Sequence, residues 1–228
     1  MHIAVLGTGM VGRTIAGKLG SLSHEVSVGT RDVESLMARG EGPMGGRVPP
    51  FSEWIAATDG VTVATFAEAA AAGGLIVNAT PGDVSLAVLR AAGAANLADK
   101  VLLDIANPLD FSQGMPPSLS VCNTDSLSEQ IQAAFPETKV VKTLNTTNAL
   151  VMVDPESVAE GDHTMFVAGN DESARAQAVE ILRDWFGWKD VIDLGDLTAA
   201  RGMEMVLPIW LRIFGSLGAP NFNFKIAR

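Results

Sequence analysis

The chain has no tyrosine, one cysteine and three histidines among its 228 residues. A single cysteine excludes an internal disulfide and any cysteine-cluster metal site. Cys122 is expected to be a small buried or half-buried side chain. His2, His24 and His163 are scattered over strand starts and loops without metal-ligand spacing, so no metal is expected. The absence of tyrosine removes the Tyr-x-x-x-Lys pair used in carbonyl reduction, and no Ser-x-x-x-Lys stands in for it. No histidine follows a sheet strand as a general acid, so no catalytic side chain is assigned. Cations are scarce too: 16 Lys and Arg face 26 Asp and Glu, for a net charge of −10. That balance argues against a nucleic-acid partner, which needs a basic face. Apolar runs are too short and broken to cross a bilayer. Met1 leads straight into a core strand, so no signal peptide is expected. Apolar residues make up 47%, enough for a full core and too many for a disordered chain. A soluble cytoplasmic protein is expected, with no membrane partner.

Against these absences stands one strong motif. The apolar run His2-Ile3-Ala4-Val5-Leu6 suits a buried parallel strand, and Gly7-Thr8-Gly9-Met10-Val11-Gly12 follows it. Gly7 permits the tight turn, Gly9 lets the backbone approach a pyrophosphate, and Gly12 lets the next helix pack close to the sheet. The helix from Met10 to Leu19 points its N-terminus at that phosphate. A second strand, Glu25 to Gly29, completes a βαβ unit. NAD enzymes usually carry an acidic residue at the end of this strand. Here Thr30-Arg31 offers a hydroxyl and a guanidinium suited to a 2′-phosphate, which favours NADP. Asp32 and Glu34 just beyond leave NAD as the alternative.

Strand and helix signals alternate along the rest of the chain. A helix is expected over Arg31 to Arg39, a Gly- and Pro-rich loop over Glu41 to Pro50, and a short helix over Phe51 to Ala57. Strands follow at Val61 to Ala64, Leu75 to Ala79, Val101 to Ile105 and Lys139 to Thr143. Helices are expected over Thr65 to Ala72, Val84 to Ala92 and Ser126 to Phe135, with a polar loop from Asp110 to Thr124. The pattern is α/β, a Rossmann-type doubly wound parallel sheet over residues 1–150. Residues 151–228 read as a small C-terminal α+β domain packed on the first. It carries strands at His163 to Gly169 and Val191 to Asp193 and a helix from Glu172 to Trp185. A long apolar helix, Leu197 to Leu217, contains Pro208, which kinks or divides it. Asn221 to Ile226 alternates like an edge strand. Apolar surface on the late helix suits a homodimer contact.

Ligands of open α/β sheets lie beyond the carboxyl ends of the strands. Thr80-Pro81 is placed along the nicotinamide half, and Asn107-Pro108 near it, with Asn107 suited to bond a carboxamide or cap a turn. Leu144-Asn145-Thr146-Thr147-Asn148-Ala149 is unusually polar after a core strand and marks where nicotinamide and substrate should meet. Without proton-transfer groups, direct hydride transfer between two stacked rings is the chemistry best served.

The chain resembles the F420-dependent NADP reductases along nearly its whole length. The resemblance rests on Ile3-Ala4-Val5-Leu6-Gly7-Thr8-Gly9, His24-Glu25-Val26, Gly29-Thr30-Arg31 and Val140-Val141-Lys142-Thr143-Leu144-Asn145-Thr146. Phe166-Val167-Ala168-Gly169-Asn170-Asp171-Glu172 and the segments at Met203-Glu204 and Leu207-Pro208 add to it. It implies a Rossmann domain, a small domain closing the cleft, and a homodimer. It also implies pyrophosphate at Thr8 to Val11, the 2′-phosphate at Thr30-Arg31, and nicotinamide with deazaflavin (coenzyme F420) along Leu144, Asn145, Thr147 and Ala149. Members carry His and then Ile-Pro in that loop, where this chain has Asn145 and Thr147-Asn148. The partner implied is a small-molecule hydride donor or acceptor. The alternatives are reduction of an imine, a hydroxy acid or a flavin, or an NADP-binding redox sensor without turnover.

Overall fold

Alternation of side chains along the first strand organises both layers of the core. In β1 (His2–Leu6), Ile3 and Val5 join one buried cluster and Ala4 and Leu6 the other. The structure is a computed structural model that describes residues 1–40 and 48–228. The expected Glu41 to Pro50 loop falls mostly on residues outside that description, Arg47 among them.

β2 (Glu25–Thr30), β3 (Val61–Thr65), β4 (Leu75–Asn78) and β5 (Val101–Asp104) follow β1. A short hairpin of β6 (Leu109–Asp110) and β7 (Ser118–Leu119) interrupts the series before β8 (Lys139–Thr143), β9 (Thr164–Gly169) and β10 (Asp190–Asp193). The main sheet has eight strands in the order β10-β9-β8-β5-β4-β1-β2-β3. Its pairs are parallel except β8 with β9, which is antiparallel. Residues 151–228 thus add two strands to this sheet, then helices, and close with an irregular tail after Leu217.

The first half supplies α1 (Met10–Ser21), α2 (Val33–Met37), α3 (Phe51–Ala56), α4 (Phe66–Ala72), α5 (Gly82–Ala92) and α6 (Ala94–Leu97). The second supplies α7 (Leu127–Ala134), α8 (Ala149–Val153), α9 (Glu172–Glu180), α10 (Ala200–Met205) and α11 (Leu207–Leu217). Ile15 and Leu19 of α1 and Ala174 and Ala178 of α9 cover one face of the sheet, and Leu89 of α5 and Ile131 of α7 the other. Each fully buried Leu or Ile of this kind contributes about 1.5–3 kcal/mol. Local chemistry sets the helix starts. Thr65 and Glu68 form a reciprocal capping box on α4, and Ser126 and Asp171 cap α7 and α9. No helix among the described residues is long and apolar enough to cross a membrane.

Pro208 divides the late helix as its chemistry requires: α10 ends at Met205, and α11 begins at Leu207 with Pro208 in its first turn, where no N–H is needed. Three expectations change. Asn221 to Ile226 is not a strand. β9 already has β8 and β10 on its two sides, so the tail reaches only its start, where Thr164 N donates to Phe224 O at 2.9 Å. Cys122 is exposed rather than buried: it sits past the hairpin, where its neighbour Val121 packs on the core and Cys122 itself stays at the surface. The polar loop from Asp110 to Thr124 contains β7, whose pairing with β6 folds the segment back over the sheet end.

Candidate active site

β1 sits between β4 and β2, so the connections on its two sides run in opposite directions. That switch point opens a crevice beyond the carboxyl ends of the strands. A cleft of about 1020 Å3 occupies it. Gly7, Thr8, Gly9, Met10 and Val11 line one end. Gly7 has φ +128°, and a Cβ there would lie 2.5 Å from Ala79 O. A Cβ on Gly12 would lie 2.1 Å from Gly7 O, so Gly12 sits outside the lining and lets α1 seat against the turn. Gly9 has open space where a Cβ would be, and it caps α1 with no side chain bonded to the helix end. Uncapped first-turn N–H groups and the positive end of the helix dipole suit an anion.

The next wall is the end of β2. Thr30 is buried and Arg31 exposed, and both line the cleft. The nearest carboxylate in sequence, Asp32, is engaged elsewhere: its Oδ1 accepts the Ser35 N–H at 2.8 Å and caps α2. Asp32 does not line the cleft, so the groups presented there are a hydroxyl and a guanidinium, which suit a 2′-phosphate. An open glycine cradle beside this pair fits an NADP.

The far half gathers the turns after β4, β5 and β8. Thr80, Pro81, Asn107, Asn145, Thr147 and Ala149 line it. Pro108 and Leu144 do not. Leu144 is buried in the core beneath, with φ +61°, and turns the chain so that Asn145 reaches the cleft. Asn107 Nδ2 donates to Asn145 O and Asn145 Nδ2 to Asn107 Oδ1, both at 2.9 Å. Asn145 Nδ2 also donates to Met203 O at 3.0 Å. Asn145 Oδ1 is buried with no partner among the described residues. Asn148 accepts Leu150 N at 2.9 Å and so caps α8.

A polar network lies under this floor that pattern reasoning did not anticipate. Lys142 Nζ is fully buried, 3.0 Å from Asp104 Oδ2 and 2.9 Å from Glu204 Oε1, and donates to Ala106 O. Asp104 Oδ1 accepts Asn78 Nδ2 at 2.8 Å, and Asn78 Oδ1 accepts the Thr80 hydroxyl at 2.7 Å. Glu204 Oε2 accepts Leu127 N at 2.9 Å, at the positive end of α7. Burial works against the Lys142 charge, and Asp104 and Glu204 outweigh it, leaving its pKa raised. Burial raises the Glu204 pKa, with Lys142 opposing. One signal was available: Asp104 ends the apolar run VLLD, Lys142 follows the apolar pair of KVVKT, and the two opposite charges are register partners. Leu207 and Trp210 from α11, with Phe111 from the hairpin loop, complete the far wall.

Fold and cleft together define a Rossmann-type α/β protein whose glycine-turn cleft suits a dinucleotide. Residues 2–108 match the family described as NADP oxidoreductase, coenzyme F420-dependent. The crystal structure of a candidate F420-dependent NADP-reductase from Arthrobacter sp. FB24 is 60% identical, over 99% of each chain, with a TM-score of 0.95. The chain therefore belongs to the F420-dependent NADP oxidoreductase family. A Sinorhizobium meliloti protein of unstated function is 22% identical over 88% of each chain, with a TM-score of 0.60. An imine reductase from Streptomyces aurantiacus is 16% identical over 96% of this chain and 64% of its own, with a TM-score of 0.58. These two show the shared fold alone. No curated protein matches the chain.

Proposed function

We propose that the protein passes hydride between NADP(H) and a deazaflavin of the coenzyme F420 type. The observation that carries this reading is the extent of the cleft. Its roughly 1020 Å3 is lined by Asn107 and Asn145 and also by the apolar side chains of Met152, Leu207 and Trp210. That volume lies at the upper end of ordinary ligand pockets and leaves space for a second ring beyond the nicotinamide. The bound pair of cofactors supplies the hydride chemistry. The chain's own part is binding and orientation.

Gly7 to Val11 would hold the pyrophosphate, and Thr30 with Arg31 the 2′-phosphate. Thr80, Asn107 and Asn145 would fix the nicotinamide end, and Thr147 and Ala149 the start of the second ring's site. The titratable groups lining the described cleft are Arg31, Asp83 and Asp110. A backbone hydrogen bond from Ser112, then its side chain, holds the Asp110 carboxyl below the usual range, so it stays ionised and is no proton donor at neutral pH. That suits a reaction in which no proton is handed to the substrate by a side chain.

The same reading makes residues 151–228 the part that closes the cleft and pairs two copies. Ile209 and Leu217, at 55% and 61% exposure on α11, support the pairing. A lone exposed cysteine suits a reducing cytoplasm. The test is to mix the protein with NADPH and oxidised F420 and follow the deazaflavin absorbance, with FMN in parallel. Turnover with F420 is expected. NADPH binding without turnover of F420 contradicts the deazaflavin half of the proposal.

A further inference from the structure

Arg13 is an arginine almost wholly inside the protein, 5% exposed, one residue after the last glycine of the turn. Its guanidinium has no carboxylate within ion-pair distance among the described residues. It is held instead by two carbonyls and two rings. Nε donates to Thr8 O at 3.0 Å and Nη1 to Pro49 O at 2.6 Å. The Phe51 and Trp54 ring centres lie 5.1 and 5.7 Å from Cζ. Burial draws the guanidinium pKa down, yet an arginine remains a cation. A buried positive charge with no counter-ion among the described residues is costly, and it persists where something else answers it.

The peptide linking Thr8 to Gly9 shows what that is. It is trans, and a planar trans peptide points its C=O and N–H in opposite directions. Arg13 fixes the Thr8 carbonyl toward itself, outside the cleft lining. The Gly9 N–H is thereby turned the other way, at a residue that does line the cleft and caps α1. With a net charge of −10 the molecule as a whole repels anions, so a local cation matters.

We propose that Arg13 is a positioning residue for the dinucleotide pyrophosphate: it aims the Gly9 N–H at the phosphate and supplies the buried counter-charge behind it. This rests on the NADP reading above. Arg31 serves the 2′-phosphate at one end of the ligand, and Arg13 serves the pyrophosphate in the middle. The two roles separate by ligand.

The test titrates wild type, Arg13→Met, Arg13→Lys and Arg31→Ala with NADP+ and with adenosine 2′-monophosphate, which has no 5′-phosphate. Arg13→Met should weaken NADP+ about tenfold and leave the monophosphate within twofold. Arg13→Lys, which keeps the charge, should recover most of the loss. Arg31→Ala should weaken both ligands. A merely structural role for Arg13 would lower both affinities alike, and that result, or an unchanged NADP+ affinity, overturns the proposal. If Arg13→Met does not fold, wild type still decides. The Gly9 amide proton should move downfield with NADP+ and not with the monophosphate, and an unmoved resonance overturns the proposal. Wild type failing to bind NADP+ at all would instead remove the NADP reading beneath it.

Discussion

Asn107 and Asn145 hold each other across the floor of the cleft. Each amide nitrogen donates to an oxygen of the other residue at 2.9 Å, and so ties the turn after β5 to the turn after β8. Asn145 also reaches Met203 O, so one side chain joins two sheet ends and α10. Asn145→Ala leaves Asn107 Oδ1 and Met203 O without their donor. Stability should fall by about 1–3 kcal/mol. For a chain of this size that is about 2–4 °C in Tm per kcal/mol, measurable by calorimetry. NADPH affinity should fall with it, because the turn that would face the nicotinamide loses its anchor.

Cofactor choice is predicted to rest on Arg31. Arg31→Ala should weaken NADPH by at least tenfold and NADH by less than twofold, read by fluorescence titration at fixed salt. Equal losses for both would show that the guanidinium does not meet the 2′-phosphate.

The buried charges under the floor should behave as one unit. Lys142→Met leaves Asp104 and Glu204 facing each other without their cation. Breaking a buried pair in this way costs about 3–5 kcal/mol. Glu204→Gln combined with Lys142→Met should cost less than the two single losses added, since the partners are in contact. Urea unfolding of the four proteins checks this, and strict additivity would show that the groups act independently.

Acid sensitivity has a named contributor at the start of α9. Hydrogen bonds from Ser173 Oγ, then Ala174 N, and then Lys139 hold the Asp171 carboxyl at about 2, below its ordinary 3.8. A folded pKa below the unfolded one means that stability is present above pH 3.8 and is lost as pH falls toward 2. Asp171→Asn keeps a capping side chain and removes the charge. Wild type should therefore melt above the variant at pH 5, and the gap should close by about pH 2. A gap independent of pH would show that the charge contributes nothing.

Much of this architecture was legible in the chain because short-range chemistry dictates it. Gly7 and Gly12 are glycines because backbone oxygens stand where a Cβ would be. Pro208 cannot sit inside one continuous helix without losing a backbone hydrogen bond, so it falls in the first turn of α11. The turns after successive parallel strands must meet at one sheet end, so Thr30, Thr80, Asn107 and Asn145 were identifiable without coordinates. Other features depend on long-range placement. The hydrogen bonds of Lys142 to Glu204 and of Arg13 to Pro49 join residues far apart in sequence, with no periodic signal. Asn221 to Ile226 has strand-like alternation but meets a β9 already paired on both sides. Leu144 carries no mark in its sequence of the positive φ that buries it and delivers Asn145 to the cleft.

The central claim is hydride transfer between the two rings, and label transfer tests it most directly. The protein should be given NADPH deuterated at nicotinamide C4 together with oxidised F420, and the deazaflavin product examined by mass spectrometry. Deuterium from one of the two C4 positions should appear in the reduced deazaflavin. A product without label from either position, or no reduced deazaflavin while NADPH is bound, would contradict the account.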